Sequence, residues 1–350
     1  MRVTVGLSGG VDSAVAAGLL KEQGYEVIGV HFSFSKQGSG CCGNAGYERA
    51  KRVAANLKIP FYVVNLHLEF EKMVIDNFCA EYARGRTPNP CIRCNQFIKF
   101  DFLRERAKVV EANFIATGHY ARIVRDATGR FHLYRGIDPR KDQSYFLYTL
   151  NQEQLATLLL PLGDLRKVYV RQKARDWGLP NAEQTESQEV CFIPDNDYVQ
   201  FLRSRHPELF RPGPVYDTAG RRLGTHSGIV NFTIGQRKGL GLALGERRYV
   251  VKIVPEENAI YLGRENEVYH TRVWAEAVHL IEPVSEQRLR VWAKVRYQSD
   301  GGQALVEFLS KERVFVQFET PQWAPTPGQA IVFYDGDCVL GGGIIERSET

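Results

Sequence analysis

The first half of the chain alternates short apolar runs with segments whose apolar residues recur at helical spacing. Strands are predicted over residues 3–7, 26–34, 61–66 and 113–118, and helices over 13–23 and 44–57. In the first helix, Val15, Leu19 and Leu20 share one face, and Gly24 follows as the residue that ends it. Strands that alternate with helices predict an α/β domain with a parallel sheet and helices on both faces.

The pattern changes twice further along the chain. Residues 121–124 and 131–135 predict a hairpin around Ala127-Thr128-Gly129, and the cluster Arg211-Pro212-Gly213-Pro214 interrupts regular structure. A segment rich in glycine and basic residues follows. Short alternating strands are then predicted over 291–297, 304–308, 314–318 and 330–334, which is typical of a small β-barrel or sandwich. We therefore predict three domains, over residues 1–205, 206–270 and 271–350.

Composition restricts the class of protein. The 350 residues are 44% apolar and 24% charged, which is typical of globular domains with apolar cores. No apolar run is long enough to span a membrane, and the chain starts as a strand without a signal peptide, so we expect a cytoplasmic protein with no membrane partner. The net charge of +5 is compatible with a polyanionic partner but does not establish one.

A glycine-rich octet lies between the first predicted strand and the first predicted helix. Its sequence is Gly6-Leu7-Ser8-Gly9-Gly10-Val11-Asp12-Ser13. A strand-to-helix turn directs backbone N–H groups and the positive end of the helix dipole outward, which suits phosphate. The glycines allow close approach of an anion, the serines add hydroxyl donors, and Asp12 can organise Mg²⁺. The octet predicts a nucleotide site; a glycine-rich turn with a capping Ser or Asp is the structural alternative.

The octet lacks the lysine of the loop that γ-phosphate transferases use. A loop that holds the β- and γ-phosphates as leaving pyrophosphate favours attack at the α-phosphate, so we expect an adenylated product that depends on Asp12. The octet resembles the signature of the PP-loop ATP pyrophosphatases. That resemblance implies an adenine-nucleotide α-hydrolase-like fold for the first domain, with ATP and Mg²⁺ bound.

Seven cysteines occur in the chain, and their odd number without a secretory context argues against a disulfide framework. Two of them stand in Thr87-Pro88-Asn89-Pro90-Cys91-Ile92-Arg93-Cys94-Asn95, where the prolines predict an irregular loop and Cys94 is expected to start a helix. A thiol at a helix N-terminus beside Arg93 should have a lowered pKa and act as a nucleophile or metal ligand. Cys191 provides the second, distant thiol that a persulfide relay needs.

Motifs along the whole chain resemble those of the tRNA-specific 2-thiouridylases. They are Thr87-Pro88-Asn89-Pro90 with Cys94-Asn95 and Lys99-Phe100, Ala116-Thr117-Gly118-His119-Tyr120, Lys141-Asp142-Gln143-Ser144-Tyr145-Phe146-Leu147, Cys191-Phe192-Ile193, Gly235-Gln236-Arg237-Lys238-Gly239-Leu240 and Gly341-Gly342-Gly343-Ile344-Ile345. The resemblance implies that the wobble uridine of tRNAs for Lys, Glu and Gln is adenylated at O2 and then thiolated. It implies Cys94 as nucleophile and Cys191 as persulfide carrier.

The resemblance also implies binding residues. The implied ATP site comprises Gly6, Leu7, Ser8, Gly9, Gly10, Val11, Asp12, Ser13, Phe32 and Gly118. The implied contacts with the tRNA anticodon loop are Asn89, Pro90, Cys91, His119, Lys141, Asp142, Gln143, Arg296, Tyr297 and Gln329. Because the target uridine must be unstacked, we expect Gln143 to bond the base edge and Tyr145 or His119 to stack on it, with core packing as the alternative for Tyr145.

One position departs from the family pattern. Many members carry an aspartate three residues before the nucleophile, whereas Cys91 stands here, which puts a proton relay through that position in question. Cys91, Cys94 and Cys191 instead predict ligands for a [4Fe–4S] cluster with one open iron. A cluster-free persulfide route, a zinc site and a redox Cys-x-x-Cys remain open. Cys41 and Cys42 fill a loop or relay sulfur, and Cys79 and Cys338 are expected to be packing residues.

The glycine-rich middle segment concentrates basic side chains that can follow RNA phosphates. They are Arg211, Arg221, Arg222, Arg237, Lys238, Arg247 and Arg248. A tRNA thiolase also needs a sulfur-donor protein or inorganic sulfide as partner. Two other function classes compete: a PP-loop amidating enzyme acting on a small metabolite, and an iron–sulfur or RNA-binding protein without catalysis. The first leaves the cysteines unexplained, and the second leaves the nucleotide loop without a role.

Overall fold

The computed structural model describes residues 1–34, 44–184 and 190–350, so Cys41 and Cys42 lie outside the described residues. Two compact units divide the chain. Unit 1 comprises Met1–Ile75, Pro90–Asn196 and Asp337–Val339, and unit 2 comprises Asp76–Asn89, Asp197–Gly336 and Leu340–Thr350. Within the ranges that the structure describes, no helix has the length and apolar character needed to cross a membrane.

Helices and strands alternate through unit 1 and give way to strands in unit 2. The helices are α1 (Val11–Glu22), α2 (Asn44–Leu57), α3 (His67–Phe70), α4 (Asp76–Ala83), α5 (Pro90–Cys94), α6 (Phe100–Val109), α7 (Gln152–Thr157), α8 (Lys167–Asp176) and α9 (Tyr198–Arg205), with π-helical segments at Glu71–Ile75 and Asn95–Lys99. The first strands are β1 (Arg2–Gly6), β2 (Glu26–Ser33), β3 (Phe61–Asn65), β4 (Phe114–Ala116), β5 (Ala121–Arg125), β6 (Phe131–Arg135) and β7 (Leu158–Leu159).

Unit 1 is built on a parallel sheet with the strand order β3-β2-β1-β4-β7. The central strand β1 is buried on both faces, since Val3 and Val5 on one face and Thr4 on the other are each 0% exposed. Helix α1 packs a continuous row of small residues, Ala14 to Ala17, into the same core. β1 has β2 on one side and β4 on the other, so the connections that leave β1 and β4 run in opposite directions. Such a switch point opens a crevice at the carboxyl ends of the strands, where ligands bind in parallel α/β sheets.

The local predictions for unit 1 are largely confirmed. α2 has the predicted bounds, and Gly24 ends α1 with a left-handed φ of 84° and an N–H bond to the Lys21 carbonyl. The predicted hairpin forms as β5 and β6, with Ala121 opposite Arg135. The predicted α/β fold class is therefore correct. Observed strand ends differ from the predicted ones by one or two residues, as expected where terminal turns fray.

Unit 2 contains two all-β arrangements. The strands β8 (Gly213–Asp217), β9 (Arg222–His226), β10 (Tyr249–Val254) and β11 (Ala259–Gly263) form a sheet in the order β10-β11-β8-β9. The strands β12 (Tyr269–Leu280), β13 (Arg288–Lys294), β14 (Gly302–Phe308), β15 (Val314–Trp323), β16 (Ala330–Asp335) and β17 (Cys338–Glu349) pair in the order β12-β15-β14-β13-β16-β17. Pairing of β12 with β17 closes this ring, so the predicted C-terminal β-barrel is confirmed.

The barrel interior supplies a direct test of the fold. Phe318 is 2% exposed among the apolar residues of the barrel core, so Phe318→Ala should lower the free energy of unfolding by about 3–5 kcal/mol. Urea titration followed by tryptophan fluorescence measures the change, because Trp274, Trp292 and Trp323 lie on barrel strands. Leu309→Ala is the control, since Leu309 is 55% exposed. Equal urea midpoints for the two variants would contradict the assigned core.

Candidate active site

The nucleotide loop is organised by hydrogen bonds among its own residues. Ser13 Oγ accepts from the Ser8 N–H at 3.2 Å and donates to the Gly10 carbonyl at 3.1 Å. The Gly10 N–H donates to Ser8 Oγ at 3.3 Å, and Gly10 is the N-cap residue of α1. Ser8 is exposed, whereas Ser13 is only 6% exposed. The loop therefore presents a hydroxyl and an N–H on its open side, at the positive end of a 12-residue helix.

Glycine is required at two positions of this site. Gly9 has a φ of 82°, and a Cβ there would lie 2.4 Å from the Gly46 carbonyl oxygen. At Gly118 a Cβ would lie 2.7 Å from both the Asp12 carbonyl carbon and the Ser13 nitrogen. Gly118 follows β4, so the chain leaving β4 packs directly on the first turn of α1. These close approaches explain why the predicted ATP-site residues of β1 and β4 come together at the switch point.

Phe32 is a further predicted ATP-site residue, and the structure places it near the carboxyl end of β2. It is 9% exposed, and its ring centroid lies 6.1 Å from that of Phe34. β2 is the direct neighbour of β1, which ends at Gly6 where the nucleotide loop begins. Phe32 is therefore on the same edge of the sheet as the loop, as the prediction requires.

Asp12 has two partners that the sequence did not reveal. Its Oδ1 accepts from Lys167 Nζ at 2.6 Å and from the Tyr120 hydroxyl at 2.8 Å. The Lys167 side chain is 10% exposed and the Asp12 side chain 32% exposed, so the ion pair is mostly withdrawn from water. Lys167 Nζ also lies 5.7 Å from the Tyr120 ring centroid. The structure therefore places a lysine, at the first position of α8, beside a loop that has none of its own.

Gln143, which belongs to a predicted tRNA-binding motif, forms hydrogen bonds with Tyr120, one of the two partners of Asp12. Its Oε1 accepts from the Tyr120 N–H at 3.1 Å, and its own N–H donates to the Tyr120 carbonyl at 2.8 Å. The backbone of Tyr120 is therefore fixed on both sides, which orients its hydroxyl toward Asp12. The Gln143 amide oxygen thus accepts one hydrogen bond within the protein, and a bond from Gln143 to a base edge stays a prediction.

The helix that carries the cysteines begins earlier than predicted. α5 starts at Pro90 and continues through the π-helical segment Asn95–Lys99 into α6, so Cys94 lies in the second turn. The prediction that Cys94 starts a helix is wrong. Pro90 suits a first helical position, since its fixed φ is helical and its missing N–H needs no partner. Cys91 is exposed near the helix start, whereas Cys94 is 5% exposed.

Both cysteine segments pack on one stretch of the chain, residues 67–75. Arg93 Nε donates to the Met73 carbonyl at 2.5 Å, within the π-helical segment Glu71–Ile75. The Phe192 ring, next to Cys191, meets the Phe70 ring edge-on at a centroid distance of 5.6 Å. This shared support brings the Cys94 helix and the Cys191 segment to the same side of unit 1. Such π-helical segments are frequent at functional sites.

The predicted metal-ligand set is not assembled. Over residues 1–34, 44–184 and 190–350, no group of three or more His, Cys, Asp or Glu side chains could hold a metal ion. Cys91 is exposed, Cys94 is buried, and Cys191 is partly exposed. The described geometry therefore does not support Cys91, Cys94 and Cys191 as common ligands of a [4Fe–4S] cluster.

His119 is a neutral imidazole in this fold. Burial, and secondarily the charge of Lys99, lowers the pKa of His119 to about 3. Its Nδ1 lies 2.8 Å from Thr117 Oγ1, and its ring centroid is 5.9 Å from that of Phe100. A neutral ring does not form an ion pair with phosphate, so any RNA contact at His119 is a hydrogen bond or a stacking contact.

Two members of the Lys141–Leu147 motif have structural roles. Tyr145 is fully buried and meets the Phe146 ring edge-on at 5.4 Å, so the expectation that it stacks on a base is wrong and core packing is correct. The Asp142 carboxylate accepts from the Gly136 N–H at 3.1 Å and from the Ser144 N–H and hydroxyl at 3.0 Å. Those bonds fix the turn before Gln143. Lys141 is partly exposed.

The predicted tRNA contacts of unit 2 lie at two turns. Arg296 Nη2 donates to the carbonyl of Ala324 at 2.5 Å, where the backbone φ is 44°. Gln329 Nε2 donates to the Thr87 carbonyl at 2.8 Å, in the segment that ends at Asn89. Tyr297 and Asn89 are partly exposed. These contacts stabilise turns, and a role in RNA binding stays a prediction for all four residues.

The glycine-rich segment of unit 2 surrounds an open cavity of about 640 Å³. Three of the predicted basic residues line it, namely Arg237, Arg247 and Arg248. Arg248 also pairs with Glu246, while Arg221 pairs with Asp217 at 3.1 Å. The cavity is thus the part of unit 2 where several predicted phosphate-binding side chains occur together.

Comparison with known proteins covers the chain from end to end. Residues 1–195 match the model of the tRNA methyl transferase HUP domain, 199–264 the tRNA methyl transferase PRC-barrel domain, and 270–345 the Aminomethyltransferase beta-barrel domain. The tRNA-specific 2-thiouridylase MnmA of Carboxydothermus hydrogenoformans is 48% identical, covering 99% of this chain and 98% of that protein. MnmA 2 of Caldanaerobacter subterraneus subsp. tengcongensis is 49% identical, with 99% and 98% covered.

A third relative and a solved structure were also found. MnmA of Geotalea uraniireducens is 46% identical, covering 99% of this chain and 95% of that protein. The crystal structure of a 4-thiouridine synthetase–RNA complex with bound ATP aligns with a TM-score of 0.36 and 20% identity, over 59% of this chain and 50% of that one. These relatives share 46–49% of their sequence with this chain over almost its full length, and that similarity decides the family assignment. The chain belongs to the tRNA-specific 2-thiouridylase family.

Proposed function

We propose that this protein is an ATP-dependent tRNA-uridine 2-sulfurtransferase that converts the wobble uridine of tRNAs for Lys, Glu and Gln to 2-thiouridine. The observation that carries the proposal is that unit 1 holds a nucleotide loop together with two cysteine segments supported by the same residues, 67–75. Relatives named tRNA-specific 2-thiouridylases support the choice of substrate. A PP-loop amidating enzyme would leave the paired cysteine segments without a role.

The first step is adenylation of the base. The uridine O2 attacks the α-phosphorus of ATP, the bond to the β-phosphate oxygen breaks, pyrophosphate leaves, and the uridine N3 proton is lost. Lys167 and the Gly10 N–H stabilise the negative charge that develops on the phosphates, assisted by the hydroxyls of Ser8 and Ser13. Mg²⁺ bound at Asp12 would neutralise further phosphate charge.

The second step transfers sulfur. The terminal sulfur of a persulfide on Cys191 attacks C2 of the adenylated base, and AMP leaves. The Cys94 thiolate then attacks Cys191 Sγ, which forms a Cys94–Cys191 disulfide and releases 2-thiouridine. When a persulfide-carrying protein is the donor, an external thiol reductant first reduces the disulfide, and the donor then transfers its sulfane sulfur to the Cys191 thiolate. When inorganic sulfide is the donor, hydrosulfide attacks Cys191 Sγ of the Cys94–Cys191 disulfide, which forms the Cys191 persulfide and releases the Cys94 thiolate. We derive no step through an iron–sulfur cluster, because the three cysteines do not form a ligand set in the described structure.

The remaining assignments concern binding and location. We propose that the tRNA anticodon loop is contacted by Asn89, Pro90, Cys91, His119, Lys141, Asp142, Gln143, Arg296, Tyr297 and Gln329, and that Arg237 and Arg247 contact phosphates. We propose three domains, at 1–205, 206–270 and 271–350, of which the first carries catalysis and part of the RNA contacts and the other two carry the remaining RNA contacts. We also propose that the protein acts on its tRNA substrate in the cytoplasm.

Lys167 provides a test of the adenylation step. Lys167→Met should reduce ATP- and tRNA-dependent pyrophosphate release by about 100- to 1,000-fold, because a charge aimed at the leaving phosphates is lost. Lys173→Met is the matched control, since Lys173 lies on the same helix and pairs at the surface with Glu22. Release by Lys167→Met that equals release by Lys173→Met would exclude Lys167 from the reaction.

The cysteine assignment predicts a separation of the two steps. Cys94→Ala and Cys191→Ala should each abolish 2-thiouridine formation, whereas pyrophosphate release should continue. Nucleoside analysis of reacted tRNA measures the thiolation. Cys338→Ala is the control, because Cys338 starts β17 and pairs with Tyr134 of the hairpin. Thiolation by either active-site variant would refute the persulfide relay.

Metal analysis tests the choice between a persulfide and a cluster. Protein purified without oxygen should contain iron and acid-labile sulfide far below one cluster per chain and should thiolate tRNA when given ATP and a persulfide donor. Four irons per chain, with activity that falls in proportion as iron is chelated, would establish the cluster instead.

A further inference from the structure

The nucleotide loop has a contact with a residue far along the chain. Asn181 Nδ2 donates a hydrogen bond to the Gly9 carbonyl at 3.0 Å. Asn181 is 2% exposed, although asparagine is seldom buried to this extent. Neither the glycine-rich octet nor the cysteine motifs include Asn181, and the proposed reaction assigns it no role.

The turn that carries Asn181 is itself fixed. Arg171 Nη1 donates to the carbonyls of Ala182 and Gln184, each at 3.3 Å. Leu179 and Ala182 pack in the apolar core of unit 1, and the Ala182 N–H donates to the Leu179 carbonyl at 3.1 Å. The Asn181 amide therefore reaches Gly9 from a defined position and not from a surface side chain that samples many rotamers.

The geometry of the peptide bond gives this contact a consequence. In a trans peptide the carbonyl and the following N–H point in opposite directions. Asn181 engages the Gly9 carbonyl on the buried side, so the Gly10 N–H points to the open side of the loop, where it meets Ser8 Oγ at 3.3 Å. Rotation of this peptide would present a carbonyl oxygen to the phosphates in place of a donor.

Such a rotation is easy in this sequence. Gly9 and Gly10 are adjacent glycines, which populate more backbone conformations than any other residue. Ser8 Oγ accepts from the Gly10 N–H, and the Gly10 carbonyl accepts from Ser13 Oγ and from the Ala14 N–H of α1. Asn181 engages the carbonyl of the Gly9–Gly10 peptide from a distant segment of the chain. An amide donor from outside the loop therefore selects one orientation.

The chemistry of the amide makes the contact specific. Only Nδ2 can donate to a carbonyl, and Asn181 Oδ1 is buried with no hydrogen-bond partner among the described residues. A carboxylate at the same position would place an acceptor against the Gly9 carbonyl and add negative charge next to a phosphate site. Aspartate has nearly the shape of asparagine, so the exchange tests donation and charge with little change in packing.

We infer that Asn181 is a positioning residue for the nucleotide phosphates, which acts by fixing the Gly9–Gly10 peptide so that the Gly10 N–H faces the ligand. The inference rests on the proposed function, since it takes ATP as the ligand of the loop. It assigns a role in nucleotide binding to the turn at residues 179–184, which follows α8.

Two variants and one control test the inference. Asn181→Ala should raise the KM for ATP in pyrophosphate release by about 10-fold, and Asn181→Asp by about 100-fold, with the KM for tRNA unchanged. Asn56→Asp is the matched control, because Asn56 also donates through Nδ2 to a backbone carbonyl, that of Gly178 at 3.2 Å, but at an exposed site. The control should keep the parent KM for ATP.

A direct measurement of nucleotide binding distinguishes failure of this inference from failure of the proposed function. Calorimetric titration with a non-hydrolysable ATP analogue should show the same weakening in the Asn181 variants, whether or not the protein thiolates tRNA. Thermal melting shows whether each variant folds. If Asn181→Asp does not fold, the affinity of Asn181→Ala for the analogue is the deciding measurement. Parent-like affinity for the analogue in folded Asn181→Ala or Asn181→Asp overturns the inference, as does a rise in the KM for tRNA alone.

Discussion

The ion pair of Asp12 with Lys167 joins the parts of the site that the chain keeps far apart. Asp12 lies in the first turn of α1, and Lys167 begins α8, 155 residues later. Their charges are mostly withdrawn from water, so each depends on the other for compensation. The Tyr120 hydroxyl completes the group, and its backbone is fixed by Gln143. The loops that follow β1, β4 and β7 are therefore linked by polar bonds at one edge of the sheet.

A structural feature can be predicted from the sequence when the residues that determine it lie close together in the chain. The bounds of α2 follow from apolar spacing, and the nucleotide loop follows from contiguous residues between a strand and a helix. Lys167 could not be found in this way, because its partner is distant in the chain and the preceding strand, β7, has only two residues. The contact of Asn181 was not predicted for the same reason, since a single buried amide produces no periodic pattern in the sequence. Contacts of this type are set by tertiary packing, which a local pattern does not encode.

The cysteine region shows a different limit. Two prolines in Pro88-Asn89-Pro90 predict an irregular loop, yet Pro90 forms the first position of a helix, so Cys94 is buried and away from the helix N-terminus. Arg93 was expected to act on the Cys94 thiol, but its guanidinium donates to the Met73 carbonyl and lies 4.8 Å from the Phe97 ring centroid. The sequence misjudged the surroundings of Cys94, because exposure depends on which helix face meets the core, and the roles of Cys94 and Cys191 stay predictions.

The polar bonds of the loop also explain how a site without a loop lysine can take a highly charged ligand. With no ATP bound, the charge of Lys167 is compensated by Asp12, and the Gly10 N–H is compensated by Ser8. In the proposed reaction, Lys167 would bind phosphate oxygens in place of the carboxylate, and Asp12 would hold Mg²⁺ in place of the lysine. Each buried charge exchanges one partner for another and is never left uncompensated, which limits the desolvation cost of binding. This exchange requires donors already directed at the ligand, which is the reason that a fixed Gly9–Gly10 peptide matters for the affinity for ATP.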